Sequence, residues 1–319
     1  MTPKRAITGY FGQPIDITPI IGVILAATIL TLFSAGSAHG QSSSDALDWD
    51  SIEAEVESLP WEKGPGAFSL GNSFSKVALG EHMEILRGDA VHRYLFLTNG
   101  ATFPEAVAVV FSPFQGIILI EYSDVGYVRD EDWSSIDADD LIDDISATMA
   151  ERNKQRIANG YPSLSVRGWK NPPIYQQDSN TVHWSLLLTG SEQGNFSNAV
   201  ALKLGRNGYL GFSISEVGGA VVTPEAAIAN ILAVHSFDRG ARYEDFSEGD
   251  RVAGVTLAGL VTVAAGAKLG KGGIVALLAA TGVFLKKGIG LIVPAAILAI
   301  AWFRRRVRRK HSRDVDFDQ

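Results

Sequence analysis

The chain has 319 residues, a formal net charge of −7 and no cysteine. The lack of cysteine excludes disulfide bridges, thiolate zinc sites and a cysteine nucleophile. Residues 41–245 hold 29 acidic and 14 basic residues, whereas residues 246–319 hold 5 acidic and 12 basic ones. A nucleic-acid-binding protein would carry its basic surface on the folded part, so this distribution argues against a nucleic-acid partner.

The first 40 residues have the pattern of a secretory signal. Lys4 and Arg5 precede an apolar run over residues 17–33. The small residues Ala38 and Gly40, with His39 between them, then fit the pattern of a signal-peptidase site. We therefore predict a signal peptide, or an uncleaved signal anchor, over residues 1–40, and export of the residues that follow.

An α+β domain is predicted between residues 64 and 246, after a polar stretch at 41–63 that indicates a linker or a short amphipathic helix. A longer helix begins after Asp137, which has the side chain of an N-cap. Its buried side is predicted from the helical spacing of Leu141, Ile145, Met149 and Ile157. The elements predicted before this helix are short strands within 68–86, a helix over 89–97 and a strand pair at 106–111 and 116–122.

A meander follows, and a helix begins at Thr223 and Pro224 and runs to Val234. Because strands run together and helices flank them, the sequence predicts an antiparallel sheet flanked by helices. The strands predicted in the meander are 163–169, 174–176 after a turn at Pro172-Pro173, 181–189, and a hairpin of 196–204 with 209–217.

The C-terminal region predicts a membrane anchor. Residues 252–285 are rich in Gly and Ala and indicate a juxtamembrane or membrane-associated segment, which would also permit self-association through close helix packing. Residues 282–303 predict a transmembrane helix, with a basic tail at 304–319 that the positive-inside rule places in the cytoplasm. One span or three short spans both satisfy this topology, and either leaves the main domain in the periplasm, at the bacterial inner membrane. The residues that determine this membrane topology are Lys286, Lys287, Trp302, Arg304, Arg305, Arg306, Arg308 and Arg309.

An acidic run from Asp130 to Asp144 is the one cluster that suggests metal chemistry. Clustered carboxylates suit calcium or magnesium, but the spacing is not that of an EF-hand, and helix capping with a solvated face also explains these residues. The histidines form no zinc-binding pattern, and no catalytic constellation is visible, so the sequence predicts no cofactor.

Two segments predict an interaction surface, because residues 126–133 and 239–246 combine glycine, aromatic residues and both signs of charge. The alternative is that their aromatic residues belong to the core and that the segments shape turns. The candidates are Gly126, Tyr127, Asp130, Asp132, Trp133, Trp169, His183, Trp184, Arg242 and Tyr243.

Five motifs follow one another along the chain, namely residues 126–132, residues 153–156, residues 166–169 with Pro172-Pro173, the pair His183-Trp184, and residues 239–246. With these motifs, residues 59–303 resemble a bacterial family of uncharacterised membrane-anchored proteins known only as a domain of unknown function. The resemblance implies a signal sequence, an exported domain and a C-terminal anchor, and it supplies no activity and no catalytic residue. The order of strands and helices is also similar to that of PsbP/Mog1-like α+β sandwiches, which indicates a fold and says little about function.

Two functions follow as hypotheses. The first is a membrane-anchored, non-enzymatic module that binds membrane lipid and an unknown envelope protein or cell-wall component. The alternative is an envelope hydrolase or divalent-metal-dependent enzyme that uses the Asp130–Asp144 carboxylates.

Overall fold

The computed structural model describes residues 7–8, 14–15, 49–99, 103–158, 163–190, 194–216 and 221–265. Most of the predicted signal segment, the chain beyond residue 265 and therefore the predicted span at 282–303 lie outside these residues. Two dipeptides near the N-terminus, β1 (Ile7–Thr8) and β2 (Pro14–Ile15), pair as antiparallel strands. Among the described helices, none has the length and apolar character needed to cross a membrane.

An eight-stranded antiparallel sheet forms the body of the protein, which confirms the predicted α+β class and antiparallel sheet. The spatial order of its strands is β3-β6-β7-β8-β12-β11-β10-β9, and a separate three-stranded sheet has the order β13-β5-β4. The strands are β3 (Glu62–Lys63), β4 (Gly66–Ser69), β5 (Ser75–Leu79), β6 (Glu84–Arg87), β7 (Ala106–Ser112), β8 (Gly116–Ser123), β9 (Leu164–Gln176), β10 (Thr181–Gly190), β11 (Gly194–Gly205), β12 (Gly208–Ser215) and β13 (His235–Phe237).

The helices lie on both sides of the large sheet, and two of them begin as the sequence predicts. Asp137 Oδ1 accepts hydrogen bonds from the backbone N–H groups of Asp139 and Asp140, at 2.8 and 3.1 Å. Thr223 caps the later helix in the same way, with proline at its first position. The helices are α1 (Trp49–Ser58), α2 (Asp89–Asn99), α3 (Ala138–Ala158), α4 (Pro224–Val234) and α5 (Leu257–Ala264).

One face of the large sheet, which we term the helical face, carries two apolar clusters. The first packs α1 and α2 against β6, β7 and β8, through residues such as Val56, Leu95 and Leu119. The second packs α3 and α5 against β10 and β11, through residues such as Ile145 and Val200. The opposite face is covered by α4 and the small sheet, which together form a third cluster.

The structure corrects several details of the predicted elements. Strands 163–169 and 174–176 are one strand, β9, that passes through Pro172 and Pro173, because β9 lies at the edge of the sheet, where a missing N–H donor costs little. Ile157 is 63% exposed and does not join Leu141, Ile145 and Met149 in the core.

The folded domain is also longer than residues 64–246. Helix α1 buries Ile52 and Val56 against the domain, so the stretch at 41–63 contains a packed helix. At the other end, α5 buries Leu257, Leu260 and Val261, so the first part of the predicted juxtamembrane segment belongs to the core.

Candidate functional site

The loop after β8 and the chain before α5 are joined backbone to backbone. Tyr127 N–H donates to Arg251 O at 2.8 Å, Ala253 N–H donates to Tyr127 O at 2.8 Å, and Leu257 N–H donates to Arg129 O at 2.8 Å. The resulting contact includes a parallel bridge between Tyr127 and Val252. We term this contact between residues 124–133 and residues 250–258 the clasp.

Close approach in the clasp requires a glycine at position 126. A Cβ built on Gly126 would lie 2.5 Å from the backbone oxygen of Arg251, and φ at this residue is +92°. Any other side chain would therefore be strained in its own backbone and would displace the strand-like pairing.

Charged side chains fix the clasp at both ends. Asp132 accepts hydrogen bonds from Thr256 Oγ1 and from the backbone N–H of Ala258, so it occupies the N-terminus of α5, where the helix dipole favours a carboxylate. Arg251 pairs with Asp124 at the other end.

Beside the clasp, Arg206 in the β11–β12 turn holds Asp250 through two hydrogen bonds of 2.8 Å. These hydrogen bonds to the Arg206 guanidinium lower the pKa of the Asp250 carboxyl. The first residue of the 250–258 segment of the clasp is therefore tied to the large sheet.

Aromatic rings stack next to the clasp. The ring of Tyr127 lies between Tyr243 at 4.4 Å and Phe246 at 4.0 Å, with interplanar angles of 20° and 27°. The Tyr243 hydroxyl donates to Val128 O at 2.8 Å, and burial raises the pKa of this phenol. The segments at 126–133 and 239–246, which the sequence singled out separately, thus contact each other.

Most of the remaining candidate residues surround the same region. Tyr175 donates to Asp130 Oδ2 at 2.7 Å, and its ring lies 5.5 Å from that of Trp133. The indole N–H of Trp169 donates to Ala138 O at 2.9 Å, at the start of α3. Each of these side chains is partly exposed, and each already contacts another residue of the chain through a hydrogen bond or a ring contact.

Three candidates lie elsewhere. Trp184 is buried under α3 and α5, and its indole N–H has no hydrogen-bond partner among the described residues. His183 points to the opposite face of the sheet, where partial burial lowers its pKa. Arg242 is exposed and lies within 4.0 Å of Glu244.

The acidic run divides into capping residues and a solvated helix face. Asp137 caps α3, Asp132 caps α5, and Asp130 accepts from Tyr175. In the part of the chain that the structure describes, no group of three or more His, Asp or Glu side chains is arranged to hold a metal ion. The remaining carboxylates are exposed and are Glu131, which precedes α3, and Asp139, Asp140, Asp143 and Asp144 on α3.

A second feature, which sequence reasoning missed, lies on the helical face between the two apolar clusters. There β12, a central strand, presents Gly211, Ser213 and Ser215, all buried, whereas its other side presents Leu210, Phe212 and Ile214. We term this line of small residues the β12 trough. Its walls are Leu119 and Glu121 of β8 on one side, and Asn198, Val200 and Leu202 of β11 on the other.

Two polar side chains lean over the β12 trough. Glu121 Oε2 lies 4.0 Å from the Cβ position of Gly211. Asn198 donates from Nδ2 to Ser215 Oγ at 3.1 Å and to Ile214 O at 3.2 Å, while its Oδ1 has no partner among the described residues although Asn198 is only 1% exposed.

Glu121 has an unusual protonation equilibrium. Burial, with a smaller contribution from the nearby Glu105 carboxylate, raises its pKa to about 8. The phenol of Tyr209 is close by, and burial with these two carboxylates raises its pKa as well. The signal that the sequence offered was a lone Glu inside the otherwise apolar strand β8 and a glycine in the middle of β12.

Comparisons with known proteins give a family and little else. A family model described as a protein of unknown function (DUF2167) matches residues 62–297. No curated protein matches the chain. Among solved structures, the chain is similar to cyanobacterial PsbP (CyanoP) from Synechocystis sp. PCC 6803, with 10% identity, a TM-score of 0.35, and coverage of 54% of this chain and 92% of that one. A likeness of that size carries no argument, so the similarity to PsbP/Mog1-like sandwiches stays a prediction.

Proposed function

Because the chain belongs to the DUF2167 family, whose description names no activity, we propose its function from its own residues. We propose a membrane-tethered, non-enzymatic binding module of the bacterial envelope. Its folded domain lies in the periplasm, a C-terminal helix over residues 282–303 crosses the inner membrane, and the basic tail lies in the cytoplasm.

The clasp is the observation that carries this proposal. It binds residues 250–258 to the loop after β8, and the core buries Leu257, Leu260 and Val261 of α5 and the following Ala265. The apolar sequence begins directly after that point, and from residue 266 to residue 303 its only charged residues are Lys268, Lys271, Lys286 and Lys287. The clasp would therefore hold the domain close to the membrane in one orientation.

Charge distribution supports the direction of insertion. Arg304, Arg305 and Arg306 follow the last apolar stretch at once, and Arg308 and Arg309 extend the cluster. Such clusters stay in the cytoplasm during insertion. The strongly acidic domain on the other side of the apolar stretch is then exported, in agreement with the signal pattern in the first 40 residues.

Binding is favoured over catalysis because the residues that suggested chemistry already have other roles. The Asp130–Asp144 carboxylates cap two helices, accept a hydrogen bond from Tyr175, or face solvent. We infer that the tail contacts membrane lipid and that the domain holds an envelope protein or a cell-wall component.

Single-cysteine labelling tests this topology cleanly, because the natural chain has no cysteine. Glu248→Cys places a thiol on the exposed surface of the domain, and Ser312→Cys places one in the basic tail. In cells whose outer membrane alone is permeabilised, we expect a membrane-impermeant maleimide to label residue 248 and not residue 312. Both positions should react equally once detergent dissolves the inner membrane, which is the control.

Labelling of residue 312 from the periplasmic side would overturn the orientation. Recovery of the chain in the soluble fraction after cell lysis would overturn the membrane anchor itself.

A further inference from the structure

The opposite face of the large sheet is covered by α4 and by strands β4, β5 and β13, which together we term the cover. Beneath the cover the large sheet presents buried apolar residues such as Ile120 and Ile214. We propose that His235 makes the cover sensitive to acid, so that protonation of its ring loosens the cover and exposes this apolar face. The inference goes beyond the proposed tethering, because neither the clasp nor the chain after residue 265 belongs to the cover.

His235 lies at the junction of the two parts of the cover. Its backbone N–H donates to Leu232 O at the end of α4, and it is also the first residue of β13, where it pairs with Val77 of β5. Its ring lies edge-on to the rings of Phe212 in β12 and Phe237 in β13, with ring centroids 5.5 and 5.0 Å away. The ring therefore lies between the cover and the large sheet, and the closed cover shields it from water.

Both nitrogen atoms of the His235 ring are buried and have no hydrogen-bond partner among the described residues. The whole residue is only 8% exposed. A neutral imidazole has one donor and one acceptor to satisfy, and an imidazolium has two donors and a charge. An apolar side chain would fill this position without leaving any polar atom unpaired, so packing alone does not account for a histidine here.

The surroundings of the ring also oppose a positive charge. The charged group that acts on His235 is itself a cation, Lys203 of β11. Burial, with a smaller contribution from the Lys203 ammonium, lowers the pKa of His235 to about 3. The closed cover therefore holds the imidazole in its neutral form.

The other titratable side chains on the surrounding elements do not compensate a charged ring. Each is engaged elsewhere, uncharged, or on the other side of the sheet. They are Lys76 of β5 and Asp238, which pair with each other at 3.6 Å on the surface, Glu225 of α4, which pairs with Lys170, His183 of β10, which is separated from Phe212 by Ala201, and the phenols of Tyr122 in β8 and Tyr209 in β12.

Acid therefore favours the open cover. In the open state the ring meets water and regains the ordinary histidine pKa of 6.5, so the open state binds a proton that the closed state does not. The closed cover loses stability as the pH falls from about 6.5 toward about 3, and the population of open cover rises up to about tenfold for each pH unit. The physiological use of this response rests on the proposed function, because a domain in the periplasm meets the pH of the surrounding medium.

Amide hydrogen exchange of the detergent-solubilised full chain is the test. Protection factors are compared, because they remove the intrinsic effect of pH on the exchange rate. Between about pH 7 and about pH 4.5 we expect the protection of residues 227–237 to fall roughly 50- to 100-fold. The protection of α3, which packs on the helical face, should fall much less.

Two substitutions remove the titrating group. His235→Phe and His235→Leu place an apolar side chain at the same position and cannot take up a proton, so we expect the protection of residues 227–237 to stay within about threefold over the same pH range. Protection of α3 at neutral pH shows that each variant is folded. His92→Phe, the same change on the partly exposed side of α2, should open in acid as the natural chain does.

Unchanged protection of residues 227–237 in the natural chain at the lower pH would overturn the proposal. An equal loss of protection in α3 would also overturn it, because acid would then unfold the whole domain. A loss of the same size in both folded His235 variants would show that other groups carry the effect. None of these outcomes bears on the membrane topology, which the labelling experiment decides separately.

Discussion

A carboxyl group on the inner side of a central strand lowers stability when it ionises, unless a positive charge compensates it. Glu121 is in that position, with Glu105 as its charged neighbour. Its pKa of about 8 means that the folded protein holds a proton which the unfolded chain, with an ordinary glutamate pKa of 4.5, has already released.

The sign of the resulting pH dependence follows from that difference. Glu121 contributes most to stability below its unfolded pKa, and the contribution falls as the pH rises from about 4.5 to about 8. We expect Glu121→Gln to be more stable than the natural chain by at least about 1 kcal/mol at pH values above this window, and to show a shallower pH dependence. Urea unfolding at a series of pH values measures both effects.

Glu248→Gln is the matched control, because Glu248 is exposed and should change the pH profile little. Parallel pH profiles for the natural chain and Glu121→Gln would show that the Glu121 carboxyl ionises as freely in the folded protein as in water.

At the same scale, the sequence identified the residues of the clasp but not their contacts. Gly126, Tyr127 and Asp132 were visible as a motif with unusual composition. Their partners Arg251 and Thr256 lie more than 120 positions away in sequence, and only the packed sheet brings them together. The β12 trough was not predicted, because in the sequence Ser213, Ser215 and Asn198 resemble ordinary polar residues of a strand. Only the register of β11 with β12 shows that they share one buried face of the sheet.

Among the elements, α5 depends most on contacts outside itself. It has eight residues, too few to be stable alone, so the clasp and the apolar cluster must hold it in place. Gly126 is the point at which the loop after β8 approaches the chain before α5 most closely.

Gly126→Ala therefore tests the clasp. The new Cβ would meet backbone atoms, which cannot move aside without breaking the Tyr127–Arg251 hydrogen bond, and φ is +92°. We expect a loss of about 2–4 kcal/mol in the free energy of unfolding, measured by urea titration. Gly240→Ala is the control, because φ is +89° there but a Cβ meets nothing within 4 Å. It should cost only about 1 kcal/mol, and equal losses for the two variants would contradict the role given to the clasp.

The order of elements was largely predictable, because strands show in the alternation of apolar and polar residues and helix ends show in local capping residues. Asp137 and the Thr223–Pro224 pair mark helix starts that the structure confirms. Strand β9 was divided at Pro172–Pro173 because proline is excluded from central strands, and the sequence alone does not tell that β9 lies at the edge. Helix α5 was missed because its apolar residues resemble those of the membrane-like sequence that follows it.

Over the whole molecule, the acidic domain and the basic, apolar tail are distinct in composition, but the packed core extends past the point where the composition changes. Composition alone places that change near residue 246, where the charge balance changes sign. Ala265, the last residue that the structure describes, is fully buried, so the core extends at least that far. Residues 247–265 are thus part of the fold although their composition resembles that of the tail.

Two truncations separate these boundaries. A chain of residues 41–265 retains the clasp and α5, so we expect it to unfold in one cooperative transition with the same midpoint as the full chain and to leave the membrane fraction. A chain of residues 41–246 loses the buried side chains of Leu257, Leu260 and Val261, each worth about 1.5–3 kcal/mol. The sum approaches the whole stability of an ordinary domain, about 5–15 kcal/mol, so the shorter chain should bind a hydrophobic dye and lack a cooperative transition in calorimetry.

Equal stability of the two chains would mean that the clasp only lies on the domain. Loss of folding in both would mean that the domain requires the chain beyond residue 265.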